Sequence, residues 1–449
     1  MKKRAVIGLV ASILLICLLS IGIMEVVRDE PPPDTSDLDM IFVPMEKGSF
    51  SDRIMKGELD LPDKINVDIE SIVADSQERN AHLSPHEVHK LWDTGKIDGH
   101  LARIPQDFWV NIDSIVQAPV SKNLEYNSSV FTEIRAARVV RYKALRLTQT
   151  GDPEAGLRLA AKIPLLGRKA GEVYGNSINF IGGSAIRRIG YDTIGEIAGN
   201  YQVSSECLRE IRNTIEQSRF SNDAVRDAIK SDYCHVRHYY IDPFLSSAAN
   251  LKHLFATDGP SGSFTSIPYG MDICPEAILL KPNETLRVYA GWTRETLKWA
   301  DYNSKELSEL AQLDVDEEAT RYSKGRFPYD PRNAGGRAIL RCMATDDFQS
   351  ILRSRLVAES RASALEAMLA AREYELKYGA PPNSLEELVP EYLPGVPVDF
   401  MDDLPIRYSQ EARMAWTIGR RHDLIGPLRY PDDEDERGLD IFRLPPVSK

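Results

Sequence analysis

The chain of 449 residues has no surplus of basic charge: 55 Lys and Arg stand against 67 Asp and Glu, a formal net charge of −12. A general nucleic-acid binder needs the opposite balance to neutralise phosphates, so that class is excluded. Cysteine is scarce, with five in all and no C-x-x-C pair, which removes a thioredoxin-like redox motif. G-x-S-x-G, P-loop and G-x-G-x-x-G sequences are missing, so neither a nucleophile elbow nor a phosphate-cradling loop is announced. His86-Glu87-Val88-His89 falls one residue short of the H-E-x-x-H spacing that sets two imidazoles on one metal. Asp432, Asp433, Glu434, Asp435 and Asp440 lack the D-x-D-x-D-G alternation that turns carboxylates toward calcium, and their composition is that of a solvated loop. No cofactor or metal is expected.

Long apolar runs are missing too, with one exception. Ala5 to Met24 carries no charge, and as a helix rising 1.5 Å per residue it spans a hydrocarbon core of about 30 Å. Lys2, Lys3 and Arg4 precede it and hold the tip in the cytoplasm, so the rest of the chain is expected outside an inner membrane. No A-x-A site precedes Glu25, which favours a retained anchor over a cleaved signal. The next most apolar stretch, Val173 to Ile189, is interrupted by Asn176, Asn179 and the Arg187–Arg188 pair. Behind the anchor, Arg28 to Met40 combines Pro31, Pro32 and Pro33 with five acids, and predicts a stiff, solvated stalk. In an oxidising exterior, Cys207, Cys234, Cys274 and Cys342 are candidate disulfide cysteines, with three connectivities open. That setting also favours a disulfide at Cys234 over a soft-metal site made with His235 and His238.

What is present in quantity is helical patterning. Residues 41–128 are mixed, with Ser84-Pro85-His86-Glu87 as a helix start running to Gly95. From Phe131, Ile134, Ala137, Val140, Ala144 and Leu147 form one stripe. Gly151-Asp152-Pro153 breaks the chain and restarts it, giving a helical hairpin whose second arm is expected to kink or end at Pro164. Further helices are predicted from Ser204 or Ser205, from Asn222 or Asp223, and from Pro282. Segments 257–269 and 322–336 are loops by composition. Near the end, Ala358, Ala362, Leu365, Leu369 and Leu376 share a helix face that stops at Gly379, and Ser384-Leu385-Glu386-Glu387 is a capping box opening a short helix to Tyr392. Extended segments are predicted at 406–409, 414–418 and 441–444, an α+β pattern.

The stretch Tyr374 to Tyr408 resembles the soluble core of type II secretion major pseudopilins. Tyr374, Gly379, Leu385, Leu388, Pro397, Asp399, Pro405 and Tyr408 occupy the places of that family's helix end, proline turn and aromatic strand. From Lys281 onward the chain also resembles uncharacterised membrane-anchored bacterial exterior proteins with a helical upstream part. The resemblance implies a small α+β module and a secretion-related setting. Phe400 and Asp403 stand where the family has proline and glycine, so this turn is expected to differ, and Arg420 and Arg421 stand in its acidic calcium-loop region. The anchor lies far upstream of the module's helix, so assembly into a pilus by the usual route is not expected.

One segment opposes the acidic total. Between Arg135 and Gly190 there are eleven Lys and Arg against three acids, Asp152, Glu154 and Glu172. Arg135, Arg138, Arg141 and Lys143 lie opposite the apolar stripe, as a candidate face for an anionic partner or as a face paired with acids from elsewhere. The fold class is mainly α. A cytoplasmic tip and transmembrane anchor (1–27) and a Pro-rich acidic linker (28–40) lead into a mixed region (41–128), an irregular, repeat-like helical body (129–325) and a pseudopilin-like module (337–449). The sequence points to a single-pass envelope protein, a non-enzymatic scaffold or adaptor partnered by the membrane and other envelope proteins, with no nucleic acid. The competing class is an exterior hydrolase of wall polymer or peptide.

Overall fold

The computed structural model describes residues 29–40, 45–62, 65–79, 92–120, 130–173, 177–221, 223–242, 281–302, 347–418 and 440–444, with the isolated residues 306–307, 333, 336 and 340. They are mainly helical, with two small antiparallel sheets. The expected anchor, the helix start at Ser84, both composition-based loops except Asn333 and Gly336, Cys274, Cys342 and the acids 432–435 lie outside the described residues. Among the described residues no helix is long and apolar enough to cross a membrane. The chain forms two compact units, one of residues 1–40, 229–299 and 309–348, the other of 41–228, 300–308 and 349–449.

In the larger unit, residues 41–128 supply short helices, α1 (Phe50–Met55), α2 (Ile65–Arg79), α3 (Thr94–Leu101) and α4 (Gln106–Ile115). Gly95, expected to end a helix, lies in the first turn of α3, because Asp93 accepts the Lys96 N–H at 3.1 Å and starts it there. The predicted hairpin is α5 (Phe131–Gln149) and α6 (Pro153–Ala160). Gly151 takes φ +98°, and the Asp152 carboxylate accepts the Ala155 N–H at 3.0 Å, with Pro153 in the first turn. The break expected at Pro164 falls instead at Ala161, and Pro164 lies in the first turn of α7 (Lys162–Val173). A proline removes the N–H that would reach the carbonyl four residues earlier and clashes with it. That carbonyl belongs to Ala160, so α6 ends there.

Helix α8 (Ser177–Asn200) packs along α7 at a distance only glycine permits. A methyl group on Gly183 would sit 2.5 Å from the Gly167 carbonyl oxygen and 2.7 Å from the Gly171 nitrogen, both backbone atoms that cannot swing aside. Helix α9 (Ser205–Gln217) starts as predicted, Ser204 accepting the Cys207 N–H at 3.3 Å. Helix α10 (Ala224–Val236) continues into a π-helical turn, Arg237–Ile241.

The smaller unit holds α11 (Pro282–Lys298) and the acidic segment 29–40. That segment is not a free stalk. Asp29 accepts the Asn283 and Glu284 N–H groups at 2.8 and 3.2 Å, capping α11 from outside its own sequence. Thr35 and Leu38 are buried. The acids meet cations seven residues apart on helical surface, which docks the segment lengthwise.

The long helix α12 (Asp347–Tyr378) ends at Gly379, φ +80°. The short helix expected from Ser384 to Tyr392 is a 3-10 turn, Leu385–Leu388, and Glu387 closes on Asn383, accepting its backbone N–H at 3.1 Å and its amide at 2.7 Å. Two strands, β1 (Val398–Asp399) and β2 (Leu404–Pro405), pair across a turn in which Asp403 holds φ +59°. The remaining strands, β3 (Arg407–Ser409), β4 (Met414–Thr417) and β5 (Asp440–Arg443), form an antiparallel sheet in that order, as the extended segments predict.

Candidate functional site

Helix α12 carries more than an apolar stripe. Ala358, Ala362, Leu365 and Leu369 are buried as expected, whereas Leu376 is exposed because the last turn projects beyond the packed face. The face adjoining this stripe is buried as well, and it is charged. Glu359, Glu366 and Glu373 recur every seven residues, which keeps them on one face within a drift of about 20° per heptad.

Each carboxylate meets arginines of the helical body. Glu359 accepts from Arg187 at 2.7 Å and from Arg219 at 2.8 Å. The second arm of Arg219 donates to Glu366 at 2.8 Å. Glu373 accepts from Arg209 at 2.9 Å and from Arg212 at 2.7 Å. Arg187, fully buried, also donates to the Tyr191 hydroxyl at 2.9 Å, and its guanidinium lies 4.4 Å from the Phe220 ring centre. Elsewhere on α12, Arg361 pairs with Asp192 of α8. Helix α12 is therefore clamped to α8 and to the stretch 209–219 by charge-assisted hydrogen bonds that are buried at Arg187 and partly buried at Arg209, Arg212 and Arg219.

The clamp treats its carboxylates differently. Burial opposes ionisation of Glu359, but Arg187 and Arg219 outweigh it and hold the group below its ordinary value. Burial dominates at Glu366 and pushes it up to about 7, against the pull of Arg219. Its Oε1 is buried and has no partner among the described residues.

A second buried pair stabilises the turn between β1 and β2. Asp399 accepts the Met401 and Ile418 N–H groups, each at 3.0 Å, and the Arg407 guanidinium at 2.8 Å, while Arg407 also reaches Asp402. Tyr408 donates to the Pro382 carbonyl at 3.0 Å, tying the sheet to the segment after Gly379.

The sequence-based site residues distribute as follows. Arg138 pairs with Glu70 at 2.5 Å; Arg135 is exposed, with no ion pair among the described residues; Arg141 and Lys143 are half-buried, with Lys143 adding to the field on Asp98. Most of the surrounding basic excess is neutralised inside the unit: Arg146 on Asp98, Arg158 on Glu154 and Glu210, Lys162 on Asp113, Arg168 on Glu172 and Arg187 on Glu359. Cys207 and Cys234 are buried and free, and burial pushes the Cys207 thiol up to about 11, which keeps it unreactive. Cys234 donates to the Leu38 carbonyl at 3.6 Å. Burial, with His238 nearby, holds His235 below its ordinary value. Among the described residues no group of three or more His, Cys, Asp or Glu is placed to hold a metal ion.

The clamp is what the sequence reasoning missed. Its signal was a glutamate every seventh residue in a helix otherwise rich in Ala and Leu. No family model, curated protein or solved structure compared with the chain matches it.

Proposed function

We propose that the chain is a single-pass, membrane-anchored extracytoplasmic protein, and that its body works as a non-enzymatic scaffold or protein-binding adaptor of the envelope, in a secretion-related setting. The observation that carries this reading is the clamp. The buried titratable groups Glu359, Glu366 and Arg219 are taken up in holding α12 to the body. A catalytic carboxylate must instead reach a substrate proton. The basic cluster ahead of an apolar span supports the anchor, and the tied turn at Asp399 and Tyr408 supports a pseudopilin-like module.

Phe131 and Arg135, exposed one helical turn apart on α5, are positions from which a docked partner can be captured. Photo-crosslinking from these two positions in living cells, followed by identification of the attached proteins, is expected to recover envelope proteins reproducibly. A protein that crosslinks to nothing above background, and that cleaves wall polymer or peptide when purified, would establish the hydrolase instead.

A further inference from the structure

The docked segment 29–40 shows what its binding surface recognises. Arg294 donates to both Asp37 carboxylate oxygens at 2.6 and 2.9 Å and to the Asp34 carbonyl at 2.8 Å. Arg287, two helical turns earlier on α11, donates to both oxygens of Glu30 at 2.6 and 3.3 Å. On the other side, Lys230 donates to the Asp37 carbonyl at 2.9 Å and Arg237 to the Asp39 carboxylate at 2.8 Å. Asp29 sits on the α11 N-terminus, where the N-cap residue Lys281 makes no side-chain capping bond. Leu38, fully buried between the charged contacts, fixes the register.

We infer that Lys230, Arg237, Arg287 and Arg294 line a recognition groove for an extended acidic peptide of a partner protein, and that residues 29–40 occupy it as a built-in competitor. This deepens the adaptor reading by naming the chemistry of the partner. The ligand has a carboxylate for the helix end, further acids for the three arginines, a carbonyl for Lys230 and one apolar anchor, held mostly through its own side chains and carbonyls. Glu30, Asp37 and Asp39 keep 40%, 55% and 57% of their side-chain exposure, so the ion pairs exchange with solvent and weaken with salt. Tethered in the same chain, the segment competes at an effective concentration of roughly millimolar, and an incoming peptide binds only when it is displaced.

The test uses the purified full-length chain and a fluorescent synthetic peptide of residues 29–40. Glu30→Gln with Asp37→Asn weakens the competitor at two exposed side chains and is expected to raise peptide affinity roughly tenfold over the unmodified chain. Salt at about 1 M, where the Debye length is about 3 Å, should remove the binding. Adding Arg287→Glu and Arg294→Glu should abolish it. Equal affinity for the unmodified and weakened chains, or binding that survives the arginine reversals, overturns the inference. Should the weakened variant prove unfolded by circular dichroism, the unmodified chain is compared with Arg287→Glu, Arg294→Glu at high peptide concentration, and the absence of arginine-dependent binding overturns it equally. Failure here with crosslinked partners still recovered in cells would sink the groove and leave the adaptor. Peptide binding without any cellular partner would do the reverse.

Discussion

Glu359 and Glu366 stand one heptad apart and share Arg219, yet their environments move them in opposite directions. Glu359 has two guanidiniums and stays ionised, while Glu366 has one, with a buried oxygen that has no partner among the described residues. Its folded value of about 7 exceeds the ordinary 4.5 of an unfolded chain, so the fold favours the neutral acid. That preference contributes fully below pH 4.5, shrinks as the unfolded form ionises, and is lost once pH passes 7. Glu366→Gln mimics the neutral acid at every pH. The variant should match the unmodified protein near pH 4 and exceed it by about 2–3 kcal/mol near pH 8, read from urea unfolding at both values. A difference that does not change with pH would remove the assigned ionisation. None of this was legible in the sequence, because Arg187 and Glu359 lie 172 residues apart and their meeting depends on the tertiary fold.

At the scale of elements, local chemistry made much of the chain readable. Asp152 before Pro153, Ser204 before α9, Pro282 opening α11 and Gly379 closing α12 each satisfy or stop a helix through atoms a few residues away. Errors arose where two local signals competed or a distant one decided. Pro164 broke the chain through its clash at Ala160 rather than at itself, and Glu387 closed on Asn383 rather than Ser384. Residues 29–40 looked like a solvated stalk because their cations lie on α10, the π-helical turn and α11, far along the chain. The α7–α8 contact was also hidden, since a glycine in a helix does not reveal which backbone it faces. Gly183→Ala would drive a methyl group into backbone at 2.5 Å and should cost about 2–3 kcal/mol, lowering the thermal midpoint by several degrees. Gly99→Ala, in α3 of the same unit with nothing within 4 Å of the added carbon, should be neutral or stabilising by up to about 1 kcal/mol. Equal effects at the two positions would mean that close helix approach is not what Gly183 provides.

The charge pattern of the whole molecule also takes on a physical meaning. The acidic total of −12 and the basic stretch from Arg135 to Gly190 are complementary, because the cations of that stretch pair with Glu70, Asp98, Asp113, Glu210 and Glu359 from other parts of the chain. A sequence scan finds the basic excess and leaves open whether it faces a partner or the chain itself, since its acids are supplied from both sides. We propose, from the basic cluster and the apolar run, that the span 5–24 holds the body outside the membrane. Protease added to intact spheroplasts measures this directly. Digestion of the body beyond Glu25, with the anchor fragment retained in the membrane fraction, is the predicted result. A soluble mature protein beginning after Met24, or a body left intact while an exterior control protein is digested, would contradict it.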